Sequence, residues 1–296
     1  MRRTQQISDN LFIQTTGDGS FCLSQNRDFA FQKEQTPLQR KASIFKSVQR
    51  RYVPDSLSYI ILIPTLRCNL SCSYCQVSRA SEHATGYDWT PKIQKDLKRF
   101  LSGLETETLK VEFQGGEPLL RIDFLKQIRE FCRKRFRSVE FVVCTNLQSL
   151  TPDHWQFLSS PDTKISTSFD GTWSEHEKQR TQKHQLTNEF QENLKRALRE
   201  FGTDKISALP TLDAKSPPDP QDVIRNFLDL GIQSIYLRPV NHLGFARKKH
   251  NARSTAEDWN SYYRNFVDRI IEHNFRSNTY LEEFYFSHCF RRVLSG

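Results

Sequence analysis

Apolar and polar stretches alternate along most of the chain in the way that parallel α/β folds require. Short apolar runs are followed by longer segments whose apolar residues recur every three or four positions, the spacing of one helix face. The runs that we interpret as strands are residues 59–64, 110–113, 140–144, 164–169, 205–212 and 234–237. Parallel strands joined by helices cross over right-handed, and six repeats cannot close an eight-stranded barrel. The pattern therefore predicts an α/β fold, an open and partial (β/α)6 TIM-like barrel.

Several helix boundaries are marked by residues that favour caps. Thr90 and Thr151 each precede a proline, and that pair is a common signal for the first turn of a helix. Thr187 is expected to cap the helix before the fifth strand, and Ser254-Thr255 the longer helix that follows the barrel. Residues 281–294 predict one more helix.

The first 56 residues do not continue the alternation. Residues 10–13 and 20–23 are short apolar segments on either side of Gly17-Asp18-Gly19, a strong turn signal, so they predict a small hairpin. Residues 37–51 are polar and basic and are compatible with a short helix. We divide the chain into a β-rich leader with a short helix (1–56), a barrel core (57–245) and a C-terminal helical extension (246–296).

Composition and charge narrow the class of protein. Of the 296 residues, 36% are hydrophobic and 26% are charged, a balance typical of soluble globular proteins. Lys and Arg exceed Asp and Glu by 43 to 34, a net charge of +9. Solvated helix faces account for this scattered excess, and attraction to an acidic peptide is the alternative. No nucleic-acid recognition motif, signal peptide or membrane-length apolar stretch is present, so we expect a cytoplasmic protein without a membrane or nucleic-acid partner.

Three of the seven cysteines lie close together after the first strand, at Cys68, Cys72 and Cys75. In α/β barrels the loops at the carboxyl ends of strands carry the chemistry. Three thiolates suit three irons of a four-iron cluster, which leaves the fourth iron for a ligand that is not protein. Zinc usually takes four ligands at other spacings, and disulfides need an oxidising compartment, so both alternatives fit less well. The other cysteines are dispersed and expected to be buried free thiols: Cys22, Cys132, Cys144 and Cys289.

The cysteine spacing, with Tyr74 just before the last cysteine, resembles that of the radical SAM superfamily. The resemblance covers roughly residues 57–242. It implies one [4Fe-4S] cluster on the three cysteines, with S-adenosylmethionine (SAM) chelating the open iron. It also implies a flavodoxin- or ferredoxin-like reductant, because an electron from the cluster cleaves SAM in this family. The product is a 5′-deoxyadenosyl radical that abstracts hydrogen from a substrate.

Further motifs of the family follow in the expected order. Gly115-Gly116-Glu117-Pro118 is similar to the GGEP motif, which receives the methionyl amine of SAM, and its glycines permit close approach of backbone to a ligand. Asn146 ends the third strand, where the family places polar contacts to SAM. A tight turn or a helix cap is the alternative for each of these.

Two later stretches complete the implied SAM site. Ser168 and Asp170 resemble an S-x-D-G pattern that lies near the ribose, and His176 and Arg180 resemble the H-x3-R stretch after it. Because a guanidinium donates two parallel hydrogen bonds to a carboxylate, Arg180 is the candidate for the methionyl carboxylate; a surface charge is the alternative. The backbone near Leu237 corresponds to the place where the family holds adenine. No catalytic side chain is assigned.

Residues 65–79 and 236–247 resemble one subgroup more narrowly, the His-Xaa-Ser system radical SAM maturases. This resemblance implies post-translational modification of a peptide or protein, with Arg238, Asn241 and His242 lining the opening where substrate enters. The alternatives are an anaerobic sulfatase-maturase-like enzyme and a truncated, non-catalytic protein that binds a cluster or a peptide. Peptide-modifying relatives usually carry more cysteines after the core for auxiliary clusters, whereas here only Cys289 lies beyond it.

Overall fold

The computed structural model describes residues 3–8, 11–15, 21–24, 57–249 and 255–295. The chain divides into two compact units, residues 56–283 and residues 1–55 with 284–296. The strands are β1 (Arg3–Ser8), β2 (Leu11–Thr15), β3 (Phe21–Ser24), β4 (Tyr59–Leu62), β5 (Arg67–Cys68), β6 (Ala80–Ser81), β7 (Thr108–Phe113), β8 (Ser138–Cys144), β9 (Thr163–Thr167), β10 (Ile206–Ala208), β11 (Thr211–Leu212), β12 (Ser234–Ile235), β13 (Arg238–Pro239) and β14 (Glu282–Glu283). The helices are α1 (Pro91–Ser102), α2 (Ile122–Arg135), α3 (Pro152–Leu158), α4 (Trp173–His176), α5 (His184–Phe201), α6 (Pro220–Asp229), α7 (Ala246–Lys249), α8 (Ala256–Arg276) and α9 (Phe284–Ser295).

The smaller unit contains an antiparallel sheet in the order β1-β2-β3. Strands β2 and β3 pair from Phe12↔Ser24 to Thr15↔Phe21, which confirms the hairpin. Strand β1 was not expected, because its sequence is almost entirely polar. The turn at residues 17–19 and the helix expected over residues 37–51 lie outside the described residues. Helix α9 confirms the helix expected over residues 281–294, with its first residue at Phe284.

The larger unit is built on a parallel sheet in the order β4-β7-β8-β9-β10. Beyond β10 the chain continues into β11, which pairs in parallel with β13. Helices lie between successive strands, so the predicted open α/β barrel is confirmed. The parallel arrangement brings the carboxyl ends of all these strands to one edge, where the loops that they lead into can meet.

Two of the predicted strands are not continuous over their predicted ranges. The fifth breaks into β10 and β11 around Pro210, which has no N–H to donate to a neighbouring strand. The sixth, predicted over residues 234–237, ends early as β12 (234–235), and a separate strand with another partner, β13, follows just beyond the predicted range. Strand β12 pairs with β14 from much later in the chain, while β13 occupies the sixth position of the barrel beside β11.

Threonine caps begin three of the helices as expected. The side chains of Thr90, Thr151 and Thr255 accept backbone N–H groups in the first turns of α1, α3 and α8; Ser254 lies outside the described residues. The expectation for Thr187 was wrong, because α5 begins one turn earlier, at His184. Thr187 is buried inside the helix, and its hydroxyl donates to the carbonyl of Lys183 at 3.1 Å.

The two faces of the sheet differ in polarity. The face toward the helices carries a fully buried apolar layer, and each such side chain stabilises the fold by about 1.5–3 kcal/mol. Its members include Val111, Phe113, Phe141, Val143 and Ile165, which pack with Leu125, Ile128, Phe157, Phe190 and Leu194 of the helices. The opposite face, inside the barrel, carries charged residues: Lys110 and Lys164 form ion pairs with Glu140 at 2.8 and 3.3 Å. Within the described ranges, no helix combines the length and the apolar composition that a bilayer span needs.

Candidate functional site

A cavity of about 620 Å³ opens at the carboxyl ends of the barrel strands. It gathers residues from the loops after β4, β7, β8 and β9 and from the segment around β13. Nine of the residues singled out in the sequence line it: Cys68, Cys72, Tyr74, Cys75, Gly115, Gly116, Asn146, Ser168 and Arg180. Three others, Glu117, Asp170 and Leu237, are buried beside the cavity and do not line it. Of the three residues expected at the opening for substrate, Arg238 and Asn241 line the cavity and His242 does not.

The cysteine loop is fastened to distant parts of the chain. The N–H of Ser73 donates to the carbonyl of Gln179 at 2.7 Å, and the Gln182 side chain donates to the carbonyl of Ser71 at 2.9 Å. On the other side, the N–H of Phe245 donates to the carbonyl of Cys75 at 2.9 Å. These bonds hold the thiol-bearing loop at the barrel mouth.

The two glycines of the GGEP turn allow the cysteine loop to pass directly over them. A Cβ at Gly115 would lie 2.3 Å from the carbonyl oxygen of Thr65, and one at Gly116 would lie 2.2 Å from that of Arg67. The N–H groups of Gly116 and Glu117 donate to those same carbonyls at 3.1 and 2.8 Å. Glycine is therefore required here by backbone packing, whatever ligand the turn also contacts.

Glu117 is buried and connects two loops. Its carboxylate accepts the N–H of Leu119 at 3.1 Å and the N–H of Asn146 at 2.8 Å. Burial raises the pKa of Glu117 to about 7, against the opposing effect of these hydrogen bonds and one from Thr145. In this position Glu117 fixes Asn146, whose Nδ2 donates to Asn69 at 2.7 Å and approaches Cys68 Sγ at 3.7 Å.

Tyr74, Asp170 and Arg180 form a buried network under the cysteine loop. The Tyr74 hydroxyl lies 2.7 Å from both oxygens of Asp170. Arg180 Nε lies 2.6 Å from that hydroxyl and 3.3 Å from Asp170 Oδ2, and the N–H of Thr211 donates to Asp170 at 3.2 Å. Burial raises the pKa of Asp170, while the Arg180 charge and the Tyr74 hydroxyl oppose the rise. Arg180 thus brings a cation, balanced by Asp170, to the cavity wall beside Cys72.

The cavity is also lined by Glu112, a residue for which no role was predicted from the sequence. The Glu112 carboxylate accepts the Tyr59 hydroxyl at 2.6 Å and the Cys144 thiol at 3.3 Å. Glu112 and Cys144 line the cavity, as do Ser166 and Tyr236. Cys144 had been expected to be a buried core thiol. The available signal was the alternation along β7, where Lys110 and Glu112 share one face and Val111 and Phe113 the other.

The thiols suit an iron–sulfur cluster by their chemistry and surroundings. All three line one cavity, and Cys68 Sγ lies 3.4 Å from the N–H of Leu70, the kind of hydrogen bond that tunes cluster sulfurs. Burial raises the pKa of the Cys68 thiol to about 12, so its ionisation depends on a bound cation. Among the described residues, no three His, Cys, Asp or Glu side chains converge on one metal-ion position. A cubane does not require that convergence, because its thiolates bind different irons.

Fold and site together define an open α/β barrel with a thiol-bearing loop that faces a cavity at its strand ends. The model of the radical SAM superfamily matches residues 62–241, more than half of the chain. The chain belongs to the radical SAM superfamily. Membership makes SAM and an iron–sulfur cluster the ligands that this cavity is expected to hold.

Individual relatives resemble parts of the chain. An uncharacterized protein of Methanocaldococcus jannaschii, MJ0907, is 28% identical over 40% of this chain and 40% of its own length. A cysteine-type anaerobic sulfatase-maturating enzyme of Clostridium novyi is 30% identical over 42% of this chain and 35% of its own length. The chain therefore matches well under half the length of these two relatives.

Solved structures share the fold at low sequence identity. Native anSMEcpe with bound AdoMet has a TM-score of 0.65 at 20% identity, covering 80% of this chain and 66% of that one. Streptococcus suis SuiB bound to its precursor peptide SuiA has a TM-score of 0.56 at 15% identity, covering 83% and 55%. At such identities the likeness shows the fold alone.

Proposed function

We propose that this chain binds one [4Fe-4S] cluster and SAM and modifies a peptide or protein substrate. The observation that supports the proposal is that the three cysteines and most of the candidate SAM contacts line the same cavity. When bound, the cluster and SAM would supply a 5′-deoxyadenosyl radical able to abstract hydrogen from a substrate. The remaining task of the protein is to orient both partners and to exclude water.

Each side chain has a role that follows from its position. Cys68, Cys72 and Cys75 would hold the cluster. The backbone at Gly115 and Gly116 would receive the methionyl amine, while Glu117 acts from behind by fixing Asn146.

The residues after β9 and β12 would position the rest of SAM. Ser168 would lie near the ribose. Arg180, whose Nε bonds Tyr74, would direct its Nη groups to the methionyl carboxylate, and Asp170 would hold Arg180 and Tyr74 in place. The backbone at Leu237 would lie near the adenine, and its N–H is fixed by Glu283 at 3.2 Å.

Anaerobic reconstitution with iron and sulfide, followed by reduction with dithionite, tests the core of the proposal. We expect a brown protein that converts SAM to 5′-deoxyadenosine. Cys72→Ala should lose both properties, whereas Cys289→Ala, which changes a thiol outside the cavity, should keep both. A protein that carries zinc, or that binds the cluster and never produces 5′-deoxyadenosine, would contradict the proposal; the second result would favour a non-catalytic binding protein.

A peptide is the proposed substrate class, and two kinds of peptide are candidates. Structures of similar fold contain peptides: anSMEcpe with the Cp18Cys peptide, and SuiB with SuiA. The sequence resemblance favours a peptide with His-Xaa-Ser triplets, and the match to a sulfatase-maturating enzyme favours a cysteine-containing sulfatase peptide. Mass spectrometry of both peptides after incubation with reduced enzyme and SAM distinguishes them, because only the true substrate class should change mass.

A further inference from the structure

Among the residues that the structure describes, four charged side chains other than the cysteines line the cavity, and two of these four have charged or strongly hydrogen-bonding partners. Arg180 is paired with Asp170, and Glu112 accepts hydrogen bonds from Tyr59 and Cys144. Arg79 and Arg238 also line the cavity. Neither forms an ion pair with any carboxylate of the described residues, and the Nε of each is buried without a hydrogen-bond acceptor.

Arg238 is the better placed of these two arginines. It lies on β13, in register with Thr211 of β11, and lines the cavity. Its Nη2 reaches the neutral hydroxyl of Thr211 at 3.3 Å, whereas its Nε has no hydrogen-bond acceptor among the described residues. A buried N–H of a charged group costs free energy when it lacks an acceptor.

Another arginine of the same protein shows how a guanidinium group binds a carboxylate. Arg67 presents Nε and Nη2 to the two oxygens of Asp88 at 2.8 and 2.7 Å, the bidentate pairing that guanidinium and carboxylate geometry favour. Arg238 carries the same donor groups, with Nη2 at 3.3 Å from the Thr211 hydroxyl and Nε buried without an acceptor. Burial and the nearby Arg180 charge lower the pKa of Arg238, and an anion at this place would relieve both effects.

The charges of the protein's own side chains at the cavity point the same way. Arg180 and Asp170 offset each other. What remains on the wall is one carboxylate, Glu112, against Arg79 and Arg238.

We propose that Arg238, with Arg79 as the second cation of the wall, binds a carboxylate of the peptide substrate in the cavity. The carboxylate is an Asp or Glu side chain, or the free C-terminus, close in sequence to the residue that is modified. This inference rests on the proposed function. The other possible source is the methionyl carboxylate of SAM; Arg180 suits that group better, because Asp170 and the Tyr74 hydroxyl of the cysteine loop hold it beside the cysteines.

Selection of short random peptides by mRNA display tests whether the protein binds a peptide carboxylate. The experiment does not require that the substrate be known. Reconstituted wild-type protein with SAM should enrich Asp or Glu, or a free C-terminal carboxylate, several-fold over the input library. Arg238→Gln should lose that enrichment. Arg137→Gln, which removes an arginine that is 82% exposed and outside the cavity, should keep it. A wild-type pool without acidic enrichment, or enrichment that survives in Arg238→Gln, would overturn the proposal.

Calorimetric titration distinguishes the two sources of the carboxylate. The affinity of reconstituted Arg238→Gln for SAM should stay within about twofold of wild type. If it weakens about tenfold for SAM and not for decarboxylated SAM, the anion belongs to SAM and the peptide assignment fails. If Arg238→Gln does not fold, Arg238→Lys takes its place in both experiments, because lysine keeps the charge and loses the bidentate guanidinium. Failure of the proposed function itself would look different, because wild-type protein would then bind no SAM.

Discussion

Two buried tyrosine hydroxyls, at Tyr74 and Tyr262, have opposite surroundings and make a matched pair at the scale of single residues. The Tyr74 hydroxyl bonds both Asp170 and Arg180, while the Tyr262 hydroxyl is buried without a partner. Tyr74→Phe should lower the free energy of unfolding by about 1–3 kcal/mol, because it leaves buried charged groups with fewer hydrogen bonds. Tyr262→Phe should be neutral or slightly stabilising.

Urea denaturation of the metal-free protein under anaerobic conditions measures both changes. Equal losses in the two variants would show that the Tyr74 network contributes nothing beyond ordinary packing. A second readout is the melting temperature of Tyr74→Phe with and without SAM, since Arg180 loses a partner in that variant.

His176 should make the protein sensitive to mild acid. Its ring stacks on Phe190 with centroids 4.1 Å apart, and both ring nitrogens are buried without partners. Burial, together with the Arg180 charge, lowers the pKa of His176 well below its ordinary value. The unfolded chain therefore takes up a proton below about pH 6.5 while the folded chain does not, and stability falls by up to about 1.4 kcal/mol per pH unit.

His176→Phe should remove this contribution to the pH dependence of the free energy of unfolding. The stability of the variant relative to wild type should therefore increase from pH 7 to pH 5. His184→Gln changes a histidine that is 81% exposed and serves as the control for the loss of an imidazole at the surface. Urea titrations at several pH values measure the comparison, and parallel curves for wild type and His176→Phe would refute the role of His176.

At the scale of elements, the GGEP turn and the cysteine loop behave as one unit. Gly116→Ala would place a Cβ about 2.2 Å from the Arg67 carbonyl oxygen, so the loop must shift away from the turn. We expect a loss of at least half of the iron bound after anaerobic reconstitution, with a lower melting temperature. Gly103→Ala is the matched control, because a Cβ there would meet its nearest atom at 3.6 Å and the backbone φ is −84°. Iron content equal to wild type in Gly116→Ala would show that the loop can relax without losing its ligands.

Elements whose signals are local could be anticipated from the sequence. Thr90, Thr151 and Thr255 begin helices because a cap depends only on the next few residues. The predicted cap at Thr187 was wrong for the same reason. The helix begins one turn earlier, at His184, without a side-chain cap, and no local signal in the sequence marks that start. The early end of the sixth strand could not be anticipated either, because the partner of β12 is β14, and pairing between such distant segments is decided by the assembled core.

The site shows the same limit at the scale of the whole molecule. The sequence identified the cysteine loop, the GGEP turn and Arg180, because each is marked by unusual residues at a fixed spacing. Glu112, Cys144 and Tyr236 line the same cavity and were not assigned. Their roles depend on which face of a strand looks into the barrel, and on strands that lie side by side only after folding.

Cluster binding should tighten regions far from the cysteines in sequence. The cysteine loop is hydrogen-bonded to Gln179, Gln182 and Phe245, so restraining the loop restrains these segments. We expect anaerobic reconstitution to slow amide hydrogen exchange in residues 65–76, 177–182 and 243–246. Helix α2 on the outer layer should exchange at the same rate in both states. Protection confined to residues 65–76, or equal protection in Cys72→Ala, would contradict this expectation.

Glu283 of β14 connects a late part of the chain to the segment that leads to Arg238. It is buried, accepts the N–H of Leu237 at 3.2 Å and the hydroxyl of Tyr263, and so anchors the stretch that leads to Arg238. A gene shortened after the codon for residue 245 would therefore lose this anchor while retaining every cysteine of the loop. Such a fragment could take up iron and still fail as a catalyst, so recombinant versions meant for activity assays should extend at least through codon 283.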